Sequence, residues 1–248
     1  MRQDAGVDGD AQRIAQLVWM LFLKVYDSKE EFWEFAEDDY ESIIPEECRW
    51  RNWAIDHKDG EALTGDELSD FVDTVLFPTL KELEIDEMTE KRKAIVKYVF
   101  EDANNYMKSG TLLRQVINVL NEVDFTENDE RHAFNDIYEK ILKDLQSAGS
   151  AGEFYTPRPL TEFIVEMVDP QVGETIADYA SGTGGFLTSA LEHMEDQIKT
   201  PEDQDIVQRN LIGVEKKPLP YLLAITNMIL HDIDEPNILH DNSLTKNV

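Results

Sequence analysis

Hydrophobic side chains recur at steps of three and four residues through the first 146 positions, a spacing typical of amphipathic helices. Polar stretches separate five such segments, at residues 14–25, 68–76, 95–100, 112–120 and 134–145. We therefore predict an all-helical N-terminal domain over residues 1–146. Large aromatic side chains dominate core packing, so its tryptophans are expected in the core. They are Trp19, Trp33, Trp50 and Trp53.

The hydrophobic pattern changes after a run of small, uncharged residues at positions 147–152. No helical period crosses this run, which predicts a flexible linker between two domains. Over residues 153–248, short apolar runs at 175–179, 211–215 and 237–240 alternate with helical stretches. Strands that alternate with helices predict a parallel sheet. The expected fold class is an all-helical domain followed by an α/β, Rossmann-like domain.

The most informative segment is the turn after the first predicted strand, Asp-Tyr-Ala-Ser-Gly-Thr-Gly-Gly at residues 178–185. Gly182 and Gly184 let the backbone turn sharply and approach a ligand that a Cβ atom would keep away. Such a turn at the carboxyl end of a parallel strand predicts a nucleotide-type cofactor site. A dinucleotide fingerprint would have a third glycine at position 187. The chain has Leu187 there, so the pattern favours S-adenosylmethionine over NAD.

A carboxylate ends or follows each predicted strand: Asp178, Glu215 and Asp241. The carboxyl ends of parallel strands meet at one edge of the sheet, so we expect these side chains near the glycine turn. A carboxylate after the second strand is the usual acceptor for ribose hydroxyls, and Glu215 is predicted to have that role. The alternative for Glu215 is a surface acid at a strand end.

A second informative segment, Glu-Phe-Tyr-Thr-Pro-Arg at residues 153–158, precedes the first strand. Pro157, with Pro159 directly after the segment, predicts a rigid start to a helix near Pro157. In order with Asp-x-Ala-Ser-Gly-Thr-Gly-Gly-Phe-Leu and Gly-Val-Glu, this segment resembles the modification subunit of type I restriction-modification systems, a family of N6-adenine DNA methyltransferases. Residues 19–24 and 221–231 are similar to further segments of that family, so the resemblance covers nearly the whole chain.

The resemblance implies S-adenosylmethionine as the cofactor. Together with the glycine turn, it predicts these contact residues: Glu153, Phe154, Tyr155, Thr156, Pro157, Arg158, Asp178, Ser181, Gly182, Thr183, Gly184, Glu215 and Asp241. By the resemblance, residues 153–158 would surround the methionine end of S-adenosylmethionine, and residues 181–183 would line the floor of its binding site. Glu215 would hold the ribose, and Asp241 would approach the adenine amino group.

The chain departs from the family at two points. Tyr179 stands where proline usually follows the acid, a change that affects only the strand end. Adenine methylation also needs an Asn/Asp-Pro-Pro-aromatic loop, which holds the exocyclic amine and stacks on the flipped base. The 248 residues contain no such sequence. We therefore assign no catalytic residue and expect an N-terminal fragment with a truncated sheet that does not methylate DNA by itself.

Net charge bears on the expected partners. Lys and Arg number 23 against 52 Asp and Glu, a formal charge of −29, which would repel DNA. The resemblance implies specificity and restriction subunits as partners, and DNA contact mainly through that complex. The acids are densest over residues 27–41, where we expect a solvated helix face, with a nucleic-acid-mimicking surface as the alternative.

A truncated sheet would leave the edge of its first strand unpaired. We therefore expect either self-association of the chain through this edge or coverage of the edge by residues 241–248.

Cysteine and histidine usage predicts the compartment. Cys48 is the one cysteine, and no Cys/His cluster has the spacing of metal ligands, so we expect no metal and a cytoplasmic location. The most apolar window, residues 17–23, is far short of the roughly 20 residues of a membrane span.

Two other function classes stay open. One is a nucleotide-binding dehydrogenase, which Leu187 opposes, and the other is a non-enzymatic acidic interaction protein on a degenerate methyltransferase scaffold.

Overall fold

The computed structural model describes residues 1–57, 60, 62–125, 138 and 155–245. The chain divides into two compact units, Met1–Ile141 and Leu142–Val248. The described part of the first unit is helical, and the second unit combines helices with a three-stranded parallel sheet. This confirms the predicted fold class. The predicted linker at 147–152 lies outside the described residues, as does the helix at 134–145 apart from Tyr138, so the exact domain limits stay predictions.

Four of the predicted helical segments of the first unit lie on observed helices. The helices are α1 (Asp10–Ala36), α2 (Trp50–Trp53), α3 (Gly65–Phe71), α4 (Phe77–Lys81), α5 (Lys91–Glu101) and α6 (Gly110–Asn121). A widened π-helical turn, Val72–Leu76, joins α3 to α4. It ends two residues before Pro78, whose ring nitrogen cannot donate a hydrogen bond to the preceding turn.

The core of the helical unit is aromatic and centres on α1. Trp19 packs edge-on against Phe77 with 5.1 Å between ring centroids, and Phe77 in turn contacts Phe100 at 5.3 Å. Trp50 and Trp53 contact each other at 5.2 Å. All four tryptophans are buried, which confirms the prediction that they belong to the core.

The acidic run at 27–41 is not a wholly solvated helix face, so that prediction is wrong for part of the run. Asp27 is buried, and Arg51 Nε donates to its Oδ1 at 2.9 Å. Glu34 accepts from Arg51 Nη1 and from Arg49 Nη1, each at 2.8 Å. The two arginines lie at the start of α2 and within it, so the pairing depends on tertiary packing that the acidic run alone does not reveal.

Glu30 is the second buried acid of this run. Its Oε1 accepts hydrogen bonds from the hydroxyls of Tyr40 and Ser42, at 2.9 and 2.5 Å. Its other oxygen, Oε2, is buried without a hydrogen-bond partner. Burial raises the pKa of Glu30 and raises that of Asp27 to about 6, although Arg51 opposes the shift at Asp27. The helical unit therefore holds two carboxyl groups whose pKa values are raised by burial.

We predict that Asp27→Asn flattens the pH dependence of stability between pH values of about 4 and 6. The pKa of Asp27 is raised in the folded state, so the folded state binds more protons in this window. Its contribution to the unfolding free energy therefore falls as the pH rises, by at most about 2–3 kcal/mol. Urea unfolding followed by tryptophan fluorescence measures this, since all four tryptophans lie in the helical unit.

The matched control is Asp38→Asn, which removes an exposed carboxylate of the same run and retains the slope contributed by Asp27. The absolute stability of Asp27→Asn also changes, because the pair with Arg51 is lost, so the slope is the quantity compared. Identical slopes for Asp27→Asn and the unmodified chain would contradict the prediction.

The α/β unit is built on a parallel sheet of order β1-β2-β3. Its elements are α7 (Arg158–Val168), β1 (Ile176–Asp178), α8 (Gly185–Met194), α9 (Pro201–Asn210), β2 (Leu211–Glu215), α10 (Pro218–Leu230) and β3 (Asn237–His240). In register, Ile176 pairs with Leu211 and Ile212 with Asn237. The strands β2 and β3 have the predicted bounds, and β1 is one residue shorter at each end.

One helix of this unit, α9, was not predicted. It begins with a capping box, in which Thr200 Oγ1 accepts from Asp203 N at 3.2 Å and Asp203 Oδ2 accepts from Thr200 N at 2.9 Å. Threonine followed three residues later by an acid is a sequence signal for a helix start. The signal was present in Thr-Pro-Glu-Asp, whereas the hydrophobic period that follows is short.

The helix α7 leaves an apolar face uncovered within the described residues. Thr161 and Val165 are buried, and five apolar side chains around them are exposed: Leu160, Phe163, Ile164, Met167 and Val168. Among the described strands, β1 pairs with β2 alone. The segment predicted to cover the β1 edge, residues 241–248, follows β3, and residues 246–248 lie outside the described residues, so this cover stays a prediction.

We predict that the chain self-associates through this apolar face, and that Phe163→Asp together with Met167→Asp shifts it toward monomer. An exposed apolar patch of this kind favours association, and two buried charges in the contact would oppose it. Sedimentation velocity over a range of concentrations measures the shift. Met88→Asp, which changes an exposed methionine of the helical unit, is the control. A chain that sediments as a monomer at every concentration would exclude this association.

Candidate cofactor site

The candidate site lies where the three parallel strands end. Asp178 ends β1, Glu215 ends β2 and Asp241 directly follows β3. The amide of Ser181 donates to Val214 O at 3.0 Å, and that of Asp241 donates to Glu215 O at 3.1 Å. These two bonds tie the glycine turn and Asp241 to the end of β2. The structure therefore brings together the residues that the sequence predicted to meet there.

The glycine turn adopts a backbone that other residues rarely take. Gly182 has φ +55° and Gly184 has φ +81°, both in the left-handed region. Gly184 N donates to Ser181 O at 2.8 Å, which closes the turn, and α8 begins at the next residue. A Cβ atom on Gly182 would lie 3.3 Å from Cδ1 of Tyr155, so the tyrosine ring packs directly against the turn.

The carboxylate of Glu215 is fixed between two backbone amides. Its Oε2 accepts from Gly182 N at 2.9 Å, and its Oε1 accepts from Lys217 N at 2.7 Å. The residue is only 9% exposed. Each carboxylate oxygen has two acceptor positions, so both oxygens can accept further hydrogen bonds, as from a pair of hydroxyls.

A second carboxylate lies beside the turn. Asp178 Oδ1 accepts from Ala180 N at 3.1 Å. Burial raises the pKa of Asp178, the hydrogen bond from Ala180 opposes the shift and the charge of Glu215 adds to it. Two acids that disfavour each other's charge create a negative local potential, which a positively charged ligand would relieve.

The segment before α7 is described from Tyr155 onward, so Glu153 and Phe154 lie outside the described residues. Thr156 and Pro157 are exposed. Pro157 O accepts from the amides of Leu160 and Thr161 and so starts α7. Arg158 turns its guanidinium to α8, where Nη1 donates to Gly185 O at 2.8 Å. Of this segment, Tyr155 is the residue whose side chain the structure brings against the glycine turn.

Within the described residues, two buried polar atoms near the turn have no hydrogen-bond partner: Ser181 Oγ and Asn227 Oδ1. Asn227, on α10, donates from Nδ2 to Thr183 O at 3.3 Å and so links the glycine turn to that helix. This role of Asn227 was not predicted, although an amide side chain in a largely apolar helical pattern is a sequence signal for a buried hydrogen bond. Buried polar groups are normally paired, so the free hydroxyl of Ser181 fits a site completed by a ligand.

Among the residues that the structure describes, no group of three or more His, Cys, Asp or Glu side chains could hold a metal ion. None of the helices in that part of the chain is long and apolar enough to cross a membrane.

Comparison with known proteins places this geometry in a family. A family model described as HsdM N-terminal domain matches residues 1–120, and one described as N-6 DNA Methylase matches residues 129–248. The methylase subunit of the type I restriction enzyme EcoEI, from Escherichia coli, is 56% identical over 99% of this chain. The chain belongs to the family of type I restriction-modification methylase subunits. This confirms the resemblance found in the sequence.

Two solved structures from type I systems are similar in fold to this chain. A chain of a type I R-M system superposes with a TM-score of 0.84 at 38% identity, over 99% of this chain and 49% of that one. A modification subunit from Vibrio vulnificus YJ016 superposes with a TM-score of 0.79 at 38% identity, over 98% of this chain and 53% of that one. The chain also spans 50% of the length of the EcoEI subunit, so it matches about half of each of these three relatives.

We predict that Gly182→Ala and Gly184→Ala each lower the unfolding free energy of the α/β unit by about 1–2 kcal/mol, because both glycines have left-handed φ angles. Gly185→Ala is the control, since its Cβ would meet only Thr161 Cγ2, at 3.9 Å, and alanine favours the helix. Hydrogen exchange of the buried amides of α10 measures the unfolding free energy. Equal losses at positions 182 and 185 would contradict the role given to φ.

Proposed function

We propose that the α/β unit binds S-adenosylmethionine at the ends of β1, β2 and β3. On this proposal the chain is the cofactor-binding part of a type I methylase subunit that acts on N6 of adenine in DNA. When bound, S-adenosylmethionine supplies an activated methyl group on its sulfonium. The residues of this chain bind and orient it.

The observation that carries the proposal is the hydrogen bond from Gly182 N to Glu215 Oε2. In dinucleotide-binding folds the amides of the glycine turn face a pyrophosphate. Here the amide of Gly182 faces a carboxylate of the chain itself, which would repel a pyrophosphate and can accept ribose hydroxyls. This supports a nucleoside ligand without phosphates, and it disfavours the dehydrogenase alternative.

Charge supports the same ligand class. Asp178, Glu215 and Asp241 all lie at the strand ends, and the pKa of Asp178 is raised by burial and by the charge of Glu215. S-adenosylmethionine carries a sulfonium and an ammonium group, which a cluster of carboxylates attracts. NAD, with its two phosphates, would bind against this potential.

The predicted contacts of the site are part of this proposal. Tyr155 against the glycine turn, the free Ser181 hydroxyl and the fixed Glu215 carboxylate support roles near the cofactor. The roles of Glu153, Phe154, Thr156, Pro157, Thr183 and Gly184 rest on the family resemblance, as do the approach of Asp241 to the adenine and the assignment of Arg158.

The partners we propose follow from the family. Specificity and restriction subunits would supply DNA recognition and cleavage, and a cytoplasmic location belongs to the same proposal. The net charge of −29 fits a chain that meets DNA mainly through such partners. A non-enzymatic acidic interaction protein is the second candidate, and the same net charge of −29 is the observation that favours it.

Calorimetric titration with S-adenosylmethionine tests the proposal. We expect binding, no binding of NAD under the same conditions, and a loss of about 1.5–3 kcal/mol for Glu215→Gln, because a carboxylate that accepts ribose hydroxyls is replaced by a neutral amide. In parallel, labelled S-adenosylmethionine should transfer no methyl group to duplex DNA with this chain, which lacks the loop that holds the base.

Glu202→Gln is the matched control, since Glu202 is exposed in the first turn of α9, away from the strand ends. Unchanged affinity in Glu215→Gln would refute the role of that carboxylate. Tighter binding of NAD than of S-adenosylmethionine would favour a dehydrogenase, and labelled DNA would show that the chain is active by itself.

A further inference from the structure

The family resemblance placed Arg158 at the methionine end of the cofactor, but its guanidinium contacts α8. Besides Gly185 O, Nη1 donates to the hydroxyl of Thr188 and, at 3.2 Å, to Ser189 Oγ. Nη2 donates to Glu192 Oε1 at 3.0 Å. The flat, forked guanidinium thus contacts acceptors over two turns of α8, starting at the residue that follows the glycine turn.

Neighbouring groups make this contact rigid. His231, from α10, donates to the same Glu192 Oε1 from Nε2 at 3.3 Å. Burial opposes the shift, yet the hydrogen bond from His231 and the charge of Arg158 hold the pKa of Glu192 below its usual value, so the pair with Arg158 is charged at neutral pH. Thr161 Oγ1 and Ser189 Oγ, both on buried residues, lie 2.9 Å apart and add a second bond between α7 and α8.

The chain just before Arg158 carries Tyr155 to the glycine turn. Pro157 and Pro159 restrict the backbone on either side of Arg158, so the position of the guanidinium limits where Tyr155 can lie. The ring of Tyr155 comes within 3.3 Å of the Cβ position of Gly182. The Arg158 contacts on α8 therefore set the distance between Tyr155 and the glycine turn, which line the candidate site.

We infer that Arg158 is a positioning residue, which acts on the cofactor site through α8 and Tyr155 and not by pairing with the carboxylate of the ligand. The inference rests on the proposed function for its ligand, but the geometry that it invokes is present in the chain alone. It assigns this arginine a role different from the one that its place in the Glu-Phe-Tyr-Thr-Pro-Arg segment predicted.

Arg158→Lys tests the inference, because lysine keeps the positive charge and loses the planar fork. The first measurement needs no ligand. We expect faster hydrogen exchange at the amides of residues 181–185 and of Tyr155, Thr156 and Arg158, while exchange of the buried α10 amides, which reports global unfolding, stays close to that of the unmodified chain. Arg209→Lys, an exposed arginine on α9, is the matched control and should change neither. Unchanged exchange in the turn overturns the inference.

The second measurement compares two ligands by calorimetry. S-adenosylmethionine has an amino-acid carboxylate and 5′-methylthioadenosine does not. A positioning role predicts that Arg158→Lys weakens both by a similar factor, about tenfold. A loss confined to S-adenosylmethionine would mean a direct contact with the carboxylate and would overturn the inference.

A double-mutant cycle with Glu192→Gln completes the test, because it removes the charge that pairs with Arg158 Nη2 and leaves Arg158 in place. We expect the double variant to bind about as weakly as Arg158→Lys alone, since both changes disrupt one contact. Fully additive losses would overturn the inference. If neither ligand binds the unmodified chain while the exchange results hold, the proposed function fails and the positioning of the turn by Arg158 stands.

Discussion

The α/β unit depends on one hydrogen bond, from the amide of Gly182 to the carboxylate of Glu215. It joins the turn after β1 to the end of β2, and it can form only because the backbone at Gly182 is left-handed and turns its N–H toward the strand end. The bond from Ser181 N to Val214 O holds the same two segments together. A charged acceptor strengthens such a bond, so the carboxylate organises the turn before any ligand arrives.

The helix α10, which packs under this bond, is largely apolar. Nearly all of α10 is buried, and a Cβ on Gly184 would lie 3.5 Å from Ala224 Cβ on that helix. Asn227 supplies a donor to Thr183 O from within the apolar helix. An unpaired carbonyl at this depth would cost about 1–3 kcal/mol, and the amide of Asn227 offsets this cost from within a buried helix.

Local signals in the sequence were enough for the strands and the glycine turn, and not for the pairing of charges. The bounds of β2 and β3, and the meeting of Asp178, Glu215 and Asp241, follow from hydrophobic runs and from the rule that parallel strands end at one edge. Burial of Asp27 and Glu30 does not follow from the acidic run, because it requires groups brought from elsewhere in the chain, Arg51 for Asp27 and the hydroxyls of Tyr40 and Ser42 for Glu30. The helix α9 was missed for a different reason: its capping box is informative, but its apolar period is too short to stand out.

The contrast between Tyr155 and Arg158 shows what a motif can and cannot predict. Both belong to one short segment, and the family resemblance gave both to the cofactor. The segment enters a helix at Pro157, and a helix directs successive side chains about 100° apart around its axis, so residues adjacent in sequence need not face the same site. Tyr155, before the helix, meets the glycine turn, while Arg158, at its first position, meets α8. The conformation at the start of the helix thus places Tyr155 at the site and directs Arg158 to α8, from where it positions the site.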